Sequence, residues 1–147
     1  MRNLYIIAVC TVLVLTSCKA EQTDEEMKER GKEMIRGLAQ DCKASEGATD
    51  ADVEDLVEDK MPETQVQKCF HSCMQQQFGI SDGKQFSKKG FVQISAMMFK
   101  KDEEKLNVAK EVAEECDGTA NDDRCELAVD IMTCIRSGLE KRGITKD

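Results

Sequence analysis

The segment QKCFHSCMQQ places Cys69, His71 and Cys73 within five residues of one another. Those side chains could ligate a metal, exchange disulfides or simply crosslink. A zinc site needs four ligands within tetrahedral reach. His71 is the only histidine in the chain, and on a continuous helix the middle residue of Cys-x-His-x-Cys points away from both cysteines. A redox centre calls for Cys-x-x-Cys at a helix start, whereas this is Cys-x-x-x-Cys inside a helical pattern. The expectation is that no metal and no cofactor is bound, that both sulfurs are structural, and that His71 is an ordinary surface residue.

Cysteine chemistry depends on compartment. The chain opens MRN, continues as the apolar run LYIIAVCTVLVL, and passes through TSCKA into EQTDEEMKER. A basic start, a short apolar run and small residues at Cys18 and Ala20 are the layout of a secretory signal peptide cut after Ala20. The run falls short of the ~20 apolar residues a spanning helix needs, so membrane insertion is not expected. A competing feature is LTSC at Leu15–Cys18, which also looks like a bacterial lipoprotein cleavage box. On the signal-peptide reading residues 1–20 are removed and 21–147 form one secreted, extracellular domain. Losing Arg2 and Lys19 takes the net charge from −8 to −10, with 19 basic residues against 29 acidic. Such acidity argues against nucleic acid or anionic membranes as partners, because both need a basic face. The mature chain has neither Trp nor Tyr. It keeps six cysteines, Cys42, Cys69, Cys73, Cys116, Cys125 and Cys134, an even number that implies a disulfide framework in an oxidising compartment.

Apolar residues recur at helical spacing throughout, and the fold class expected is all-α, six helices with no sheet. The first helix opens with a capping pattern at Thr23–Glu26 and carries Met27, Gly31, Met34, Ile35, Leu38 and Cys42 on one face. A short second helix buries Val53, Leu56 and Val57. Pro62 suits the first position of a third helix, which runs through Cys69 and Cys73 to Gly79. ISDGKQFS is a loop with a turn at Asp82–Gly83. The fourth helix, GFVQISAMMF, is apolar nearly all round, which predicts burial on several sides. The fifth begins with acidic residues favoured by the helix dipole and stops at Gly118; the last starts near Asn121 or Asp122 and runs to Gly143.

Helix geometry restricts the disulfides. Cys69 and Cys73 lie one turn apart on one helix, where a mutual bond would crosslink nothing. Cys125 and Cys134 are roughly 13 Å apart along the last helix and on opposite faces, too far to bond. Of the fifteen pairings six cysteines allow, these two exclusions leave ten, and in all ten Cys69 and Cys73 bond outside their own helix. Enzymatic readings find no support in the residues. A secreted phospholipase would need a His-Asp pair and a glycine-rich calcium loop, and no serine sits in a nucleophile elbow.

The cysteine spacing, Cys42-x26-Cys69-x3-Cys73-x42-Cys116-x8-Cys125-x8-Cys134, together with the segment DDRCELAVDIMTC, closely resembles the six-cysteine insect odorant-binding proteins of the pheromone- and general-odorant-binding family. The resemblance covers the whole mature chain. It implies the bonds Cys42–Cys73, Cys69–Cys125 and Cys116–Cys134, a pairing among the ten. It also implies six helices around an apolar cavity that carries small hydrophobic molecules, odorants or pheromones, through aqueous lymph. A membrane odorant receptor or a second copy of the chain would be the further partner. A carrier of hydrophobic signals or nutrients in another secreted fluid shares this description; a secreted disulfide-rich interaction protein with a solid core does not.

The apolar faces offer candidates for the ligand wall without separating wall from core. They are Met34, Ile35 and Leu38 on the first helix, Phe91, Ile94, Met97 and Met98 on the fourth, Leu106, Ala109 and Val112 on the fifth, and Ala128, Ile131, Met132 and Ile135 on the last. Methionines would suit ligands of several shapes. A polar ligand group could be met by Ser95, Gln93, Asn107 or Thr133, which points to apolar ligands with at most one weak hydrogen bond. Past Cys134 only IRSGLEKRGITKD remains, with Leu139 and Ile144 as its apolar points, enough to cover an entrance and too little to fill a pocket. With one histidine, expected to be exposed, affinity should change little near pH ~6.5. The carboxylates Asp102, Glu103, Glu104, Asp122 and Asp123 fit helix-start capping.

Overall fold

The computed structural model describes residues 24–99 and 102–144. Among them are six α-helices and no strand: α1 Asp24–Glu46, α2 Asp50–Val57, α3 Gln65–Gln77, α4 Lys88–Met98, α5 Glu103–Glu115 and α6 Arg124–Glu140. Two isolated β-bridges, Ser81 with Phe86 and Gln85 with Ala120, are the only extended pairings among these residues. No described helix is long and apolar enough to cross a membrane. Thr23 and the leader, including the LTSC box, lie outside the described residues. The chain divides at Met34 into two compact units. Of the first, the described part is the opening of α1 as far as Met34; the exposure of Met34 apart, everything that follows on packing and the site concerns the second, from Ile35 onward.

Helix starts follow capping chemistry. Thr49 and Thr64 each close a capping box, with Asp52 and Gln67 respectively, and Ser87, Asp102 and Asp123 cap α4, α5 and α6. This corrects the start of α3. Pro62 lies buried in the preceding loop, because Thr64 with Gln67 three residues on supplies two reciprocal hydrogen bonds that a proline cannot. The helix also ends at Gln77, two residues before Gly79, whose φ of 71° carries the chain into the left-handed region.

Two apolar clusters form the core. One gathers Ala39 and Cys42 of α1, Val53 of α2 and Phe70 and Met74 of α3, with Ile35, Leu56 and Phe78 against it. The other gathers Phe86, Val112 and Cys116 with Leu127 and Ile131 of α6, flanked by Ile80, Phe91, Ile135 and Leu139. The inward stripe of α1 is therefore Ile35, Ala39 and Cys42, at helical i, i+4, i+7 spacing. Met34 and Leu38 sit one residue out of that phase and face solvent, Met34 at 61% exposure. The fourth helix is likewise buried on fewer sides than its composition predicts: Met97 and Met98 are 58% and 68% exposed, because Gly90 and Phe91 at its start face the core and its last turn runs beyond it.

Three disulfides staple the helices. Cys42–Cys73 ties α1 to α3, Cys69–Cys125 ties α3 to α6, and Cys116–Cys134 ties the end of α5 to α6. The loop between α3 and α4 is held by Asp82 Oδ1, which accepts from the Lys84 and Gln85 amides at 2.8 Å each. It returns the chain so closely that a Cβ on Gly90 would lie 1.7 Å from the Gly79 carbonyl oxygen. Gly90→Ala is therefore expected to destabilise by about 1–3 kcal/mol through overpacking, although helix propensity alone favours alanine by about 1 kcal/mol. The midpoint of a urea melt gives the sign, and an unchanged or raised midpoint would contradict the packing described.

Candidate functional site

The two apolar clusters do not merge everywhere, and between them lies a cavity of about 610 Å³. Its inner wall comes from α3. His71, Met74, Gln75 and Phe78 line it at i, i+3, i+4, i+7 spacing, one continuous helical stripe. The facing wall is α6, through Ile131, Met132, Ile135 and Leu139, with Leu56 of α2, Ile80 and Ile144 completing the apolar lining. The Cys69–Cys125 bond crosslinks these two walls directly.

Three charged residues sit at the rim: Asp59, Arg136 and Glu140. Arg136 Nη2 donates to the Asp59 main-chain oxygen at 2.8 Å and to its carboxylate Oδ2 at 3.4 Å. Asp59 has φ 53°, a left-handed conformation uncommon outside glycine, so the arginine bridge holds the end of α2 in place against α6.

Two polar side chains belong to the inner wall. His71 is 3% exposed, lies edge-on to Phe70, and brings Nδ1 to 3.1 Å from the Met132 sulfur. Burial withdraws water from the imidazolium and lowers its pKa to about 4, and the pull of Asp59, Asp52 and Asp55 in the opposite direction is weaker. His71 is thus a buried, neutral wall residue, which corrects the expectation of a surface histidine. The thioether beside it cannot orient or relay a proton as a carboxylate would. Gln75 is buried and donates from Nε2 to the Ala128 carbonyl at 3.0 Å, while its Oε1 has no partner. The CFHSC segment cannot act as a zinc half-site here, because the sulfurs of Cys69 and Cys73 are bonded to Cys125 and Cys42.

Of the residues offered by the sequence as ligand wall, the cavity brings together Ile131, Met132 and Ile135. Ile35, Ala109, Val112 and Ala128 are packed into the core, and Phe91 packs against the second cluster. Ile94 and Leu106 are half-buried elsewhere, and Met34, Leu38, Met97 and Met98 are exposed. The polar residues Gln93, Ser95, Asn107 and Thr133 also lie outside the lining. Leu139 and Ile144 do reach it, and Arg142, pinned to Glu111 at 2.8 Å and Glu115 at 2.7 Å, holds the chain just before Ile144. The residues missed are those of α3, and their signal was present: His71, Met74, Gln75 and Phe78 form a helical stripe that the cysteines at 69 and 73 do not share.

A disulfide-stapled bundle of helices around an apolar cavity, with neutral polar groups on one wall, defines a binding protein for small hydrophobic molecules. The comparisons agree: the chain belongs to the PBP/GOBP family, whose sequence pattern matches residues 17–137. It is 30% identical over 145 residues to general odorant-binding protein 19d of Drosophila melanogaster, covering 97% of this chain and 93% of that protein. It is 33% identical over 109 residues to general odorant-binding protein 28a of the same fly, covering 72% and 76%. The solved structure of that fly's odorant-binding protein OBP28a superposes with a TM-score of 0.67 at 26% identity, over 80% of this chain and 99% of the other. A pheromone binding protein of the cockroach Leucophaea maderae, solved with the fluorescent reporter 1-anilinonaphthalene-8-sulfonate, shares the fold with a TM-score of 0.61 at 21% identity, over 72% and 92%. The protein is a carrier of small hydrophobic ligands.

Proposed function

We propose that the protein is secreted after removal of residues 1–20 and that residues 21–147 act as one soluble domain carrying odorants or pheromones through aqueous lymph. The observation that carries this reading is the cavity itself: about 610 Å³, walled by apolar side chains of α3 and α6, in a range typical of sites for small organic ligands. Burying an apolar ligand there is favourable by about 25 cal/mol per Å² removed from water, and no covalent step is needed. The protein is no enzyme on this reading. Further partners, a membrane odorant receptor or a second copy of the chain, would act on the loaded carrier.

Native and denatured mass spectra of the protein secreted by an insect cell line test the proposal. The expected denatured mass starts at Glu21 and is six hydrogens light, for three disulfides. The expected native spectrum shows a ligand adduct that disappears on denaturation. A full-length reduced chain, or a lipid on Cys18, would overturn the reading, as would a chain that takes up no hydrophobic molecule at all.

A further inference from the structure

The lining side chains that carry charge at neutral pH, Asp59, Arg136 and Glu140, all stand at the rim of the cavity. A second, polar cleft of about 490 Å³ adjoins it there. Asp59 and Arg136 line both, and the cleft adds Asp55, Lys60 and Glu63. The mouth thus holds four carboxylates against two cations, and both cations are already engaged. Arg136 Nη2 donates to the Asp59 main-chain oxygen at 2.8 Å and to its carboxylate at 3.4 Å. Lys60 Nζ lies 2.8 Å from Asp55 Oδ1 and 2.7 Å from Glu58 Oε2. The carboxylates of Glu63 and Glu140 have no ion-pair or hydrogen-bond partner among the described residues. Asp59 is itself open to solvent, its side chain 64% exposed.

An amphiphile entering such a site leaves its head at the rim, because burying a charge among the apolar walls of α3 and α6 is costly and leaving it in water is not. The head then meets the summed field of the mouth, which is net negative. We infer that the cavity selects by charge at its mouth and takes an amphiphile with a cationic head, in chemical class an aliphatic amine, in preference to the carboxylic acid of the same chain length. A carboxylate head would have to compete with Asp59 for Arg136 and would stand beside Glu140. An ammonium head finds Glu140 and Glu63 without a counter-ion and breaks no existing pair. This rests on the carrier reading above and names the chemistry of that same cavity.

The test is displacement of an uncharged probe, N-phenyl-1-naphthylamine, from the secreted protein at neutral pH by decylamine, decanol and decanoate, each kept below its micellar range. The three tails are alike, so the order of the heads is the readout. At low salt decylammonium is expected to displace the probe at ~10-fold lower concentration than decanoate, with decanol between them. High salt should narrow the ratio, because the mouth is exposed and its field is screened. Glu140→Gln removes one of the two net negative charges at the mouth and is expected to narrow the ratio to ~3-fold. Glu104→Gln, an exposed position on α5 outside both linings, changes the net charge equally and should leave the ratio as it is. Decanoate equal to or ahead of decylammonium would overturn this inference and leave the carrier reading standing. Equal narrowing in the two variants would do the same, since the selection would then belong to the charge of the whole protein. Failure to take up the probe or any of the three compounds, followed by native mass spectrometry, would overturn both.

Discussion

Replacing Cys69 and Cys125 together by alanine is expected to cost about 4 kcal/mol of stability, the largest effect of any change to the framework. The bond joins residues 56 apart in sequence, so its loss frees a long loop in the unfolded chain. It also joins α3 to α6, the two facing walls of the cavity. A core with an open centre forfeits packing contacts there, and the helices cannot recover them by closing without excluding ligand. Beside the bond, Lys68 and Glu126 pair at 2.9 Å, but a partly exposed ion pair contributes ~1 kcal/mol at most and does not substitute for the crosslink. The Cys116–Cys134 bond spans 18 residues and its removal is expected to cost about 3 kcal/mol. Urea unfolding followed by far-UV circular dichroism suits a mature chain without tryptophan, and the order of the two midpoints is the readout. A Cys69/Cys125 variant as stable as the native chain would mean that the helices hold the cavity open unaided.

The second large effect is on pH. The folded-state pKa of His71 is lowered from 6.5 to about 4 by burial, so above pH ~6.5 both folded and unfolded chains leave it neutral and it contributes no pH dependence. As the pH falls from 6.5 towards 4 the unfolded chain takes up a proton that the folded chain refuses, and stability is lost progressively. The full loss is about 3 kcal/mol, from ~1.4 kcal/mol per pKa unit. The pull of Asp59, Asp52 and Asp55 on the ring works in the opposite direction and moderates the loss, while Arg136 and Glu140 of α6 share the cavity rim. Ligand affinity is thus expected to hold at pH 6.5 and to fall below about 5, where an imidazolium begins to form in the ligand wall. His71→Phe should flatten the stability profile between pH 6.5 and 4.5, leaving the steeper carboxylate-driven loss at lower pH. A profile of the same slope in both proteins over that interval would contradict the assignment of His71 to a buried wall.

Much of this was legible in the residues, and what was not has identifiable causes. The six helices could be read because each carries a periodic apolar face and most begin at a capping residue. The family could be read from the cysteine spacing. The rotational phase of each helix in the core could not, because tertiary packing selects among overlapping stripes. On α1 the stripe through Ile35, Ala39 and Cys42 won over the one through Met34 and Leu38, and the anchor is Cys42, bonded to Cys73. On α4 apolar composition overstated burial, since Met97 and Met98 lie in the last turn, past the core. On α3 the reading stopped at the two cysteines. His71 is the only histidine and has no partner ligand in sequence, but its neighbours in helical phase at 74, 75 and 78 place it on the face opposite the crosslinks. The position of Pro62 was overread for a similar reason: a residue suited to a helix start gave way to the capping box at Thr64 two residues later.

Methionines separate the cavity from the other apolar faces that the sequence offers as ligand wall, with Met132 common to both. Met74 and Met132 line the cavity, whereas Met34, Met97 and Met98 are exposed. The most direct test of the cavity as the ligand site is a titration with decanol followed by NMR of methyl-labelled methionine. The expected result is saturable shifts of the Met74 and Met132 methyl signals, with ligand contacts to both, while the Met97 and Met98 signals stay where they are. Shifts confined to Met97 and Met98, or saturable binding that leaves Met74 and Met132 untouched, would contradict a ligand held between α3 and α6.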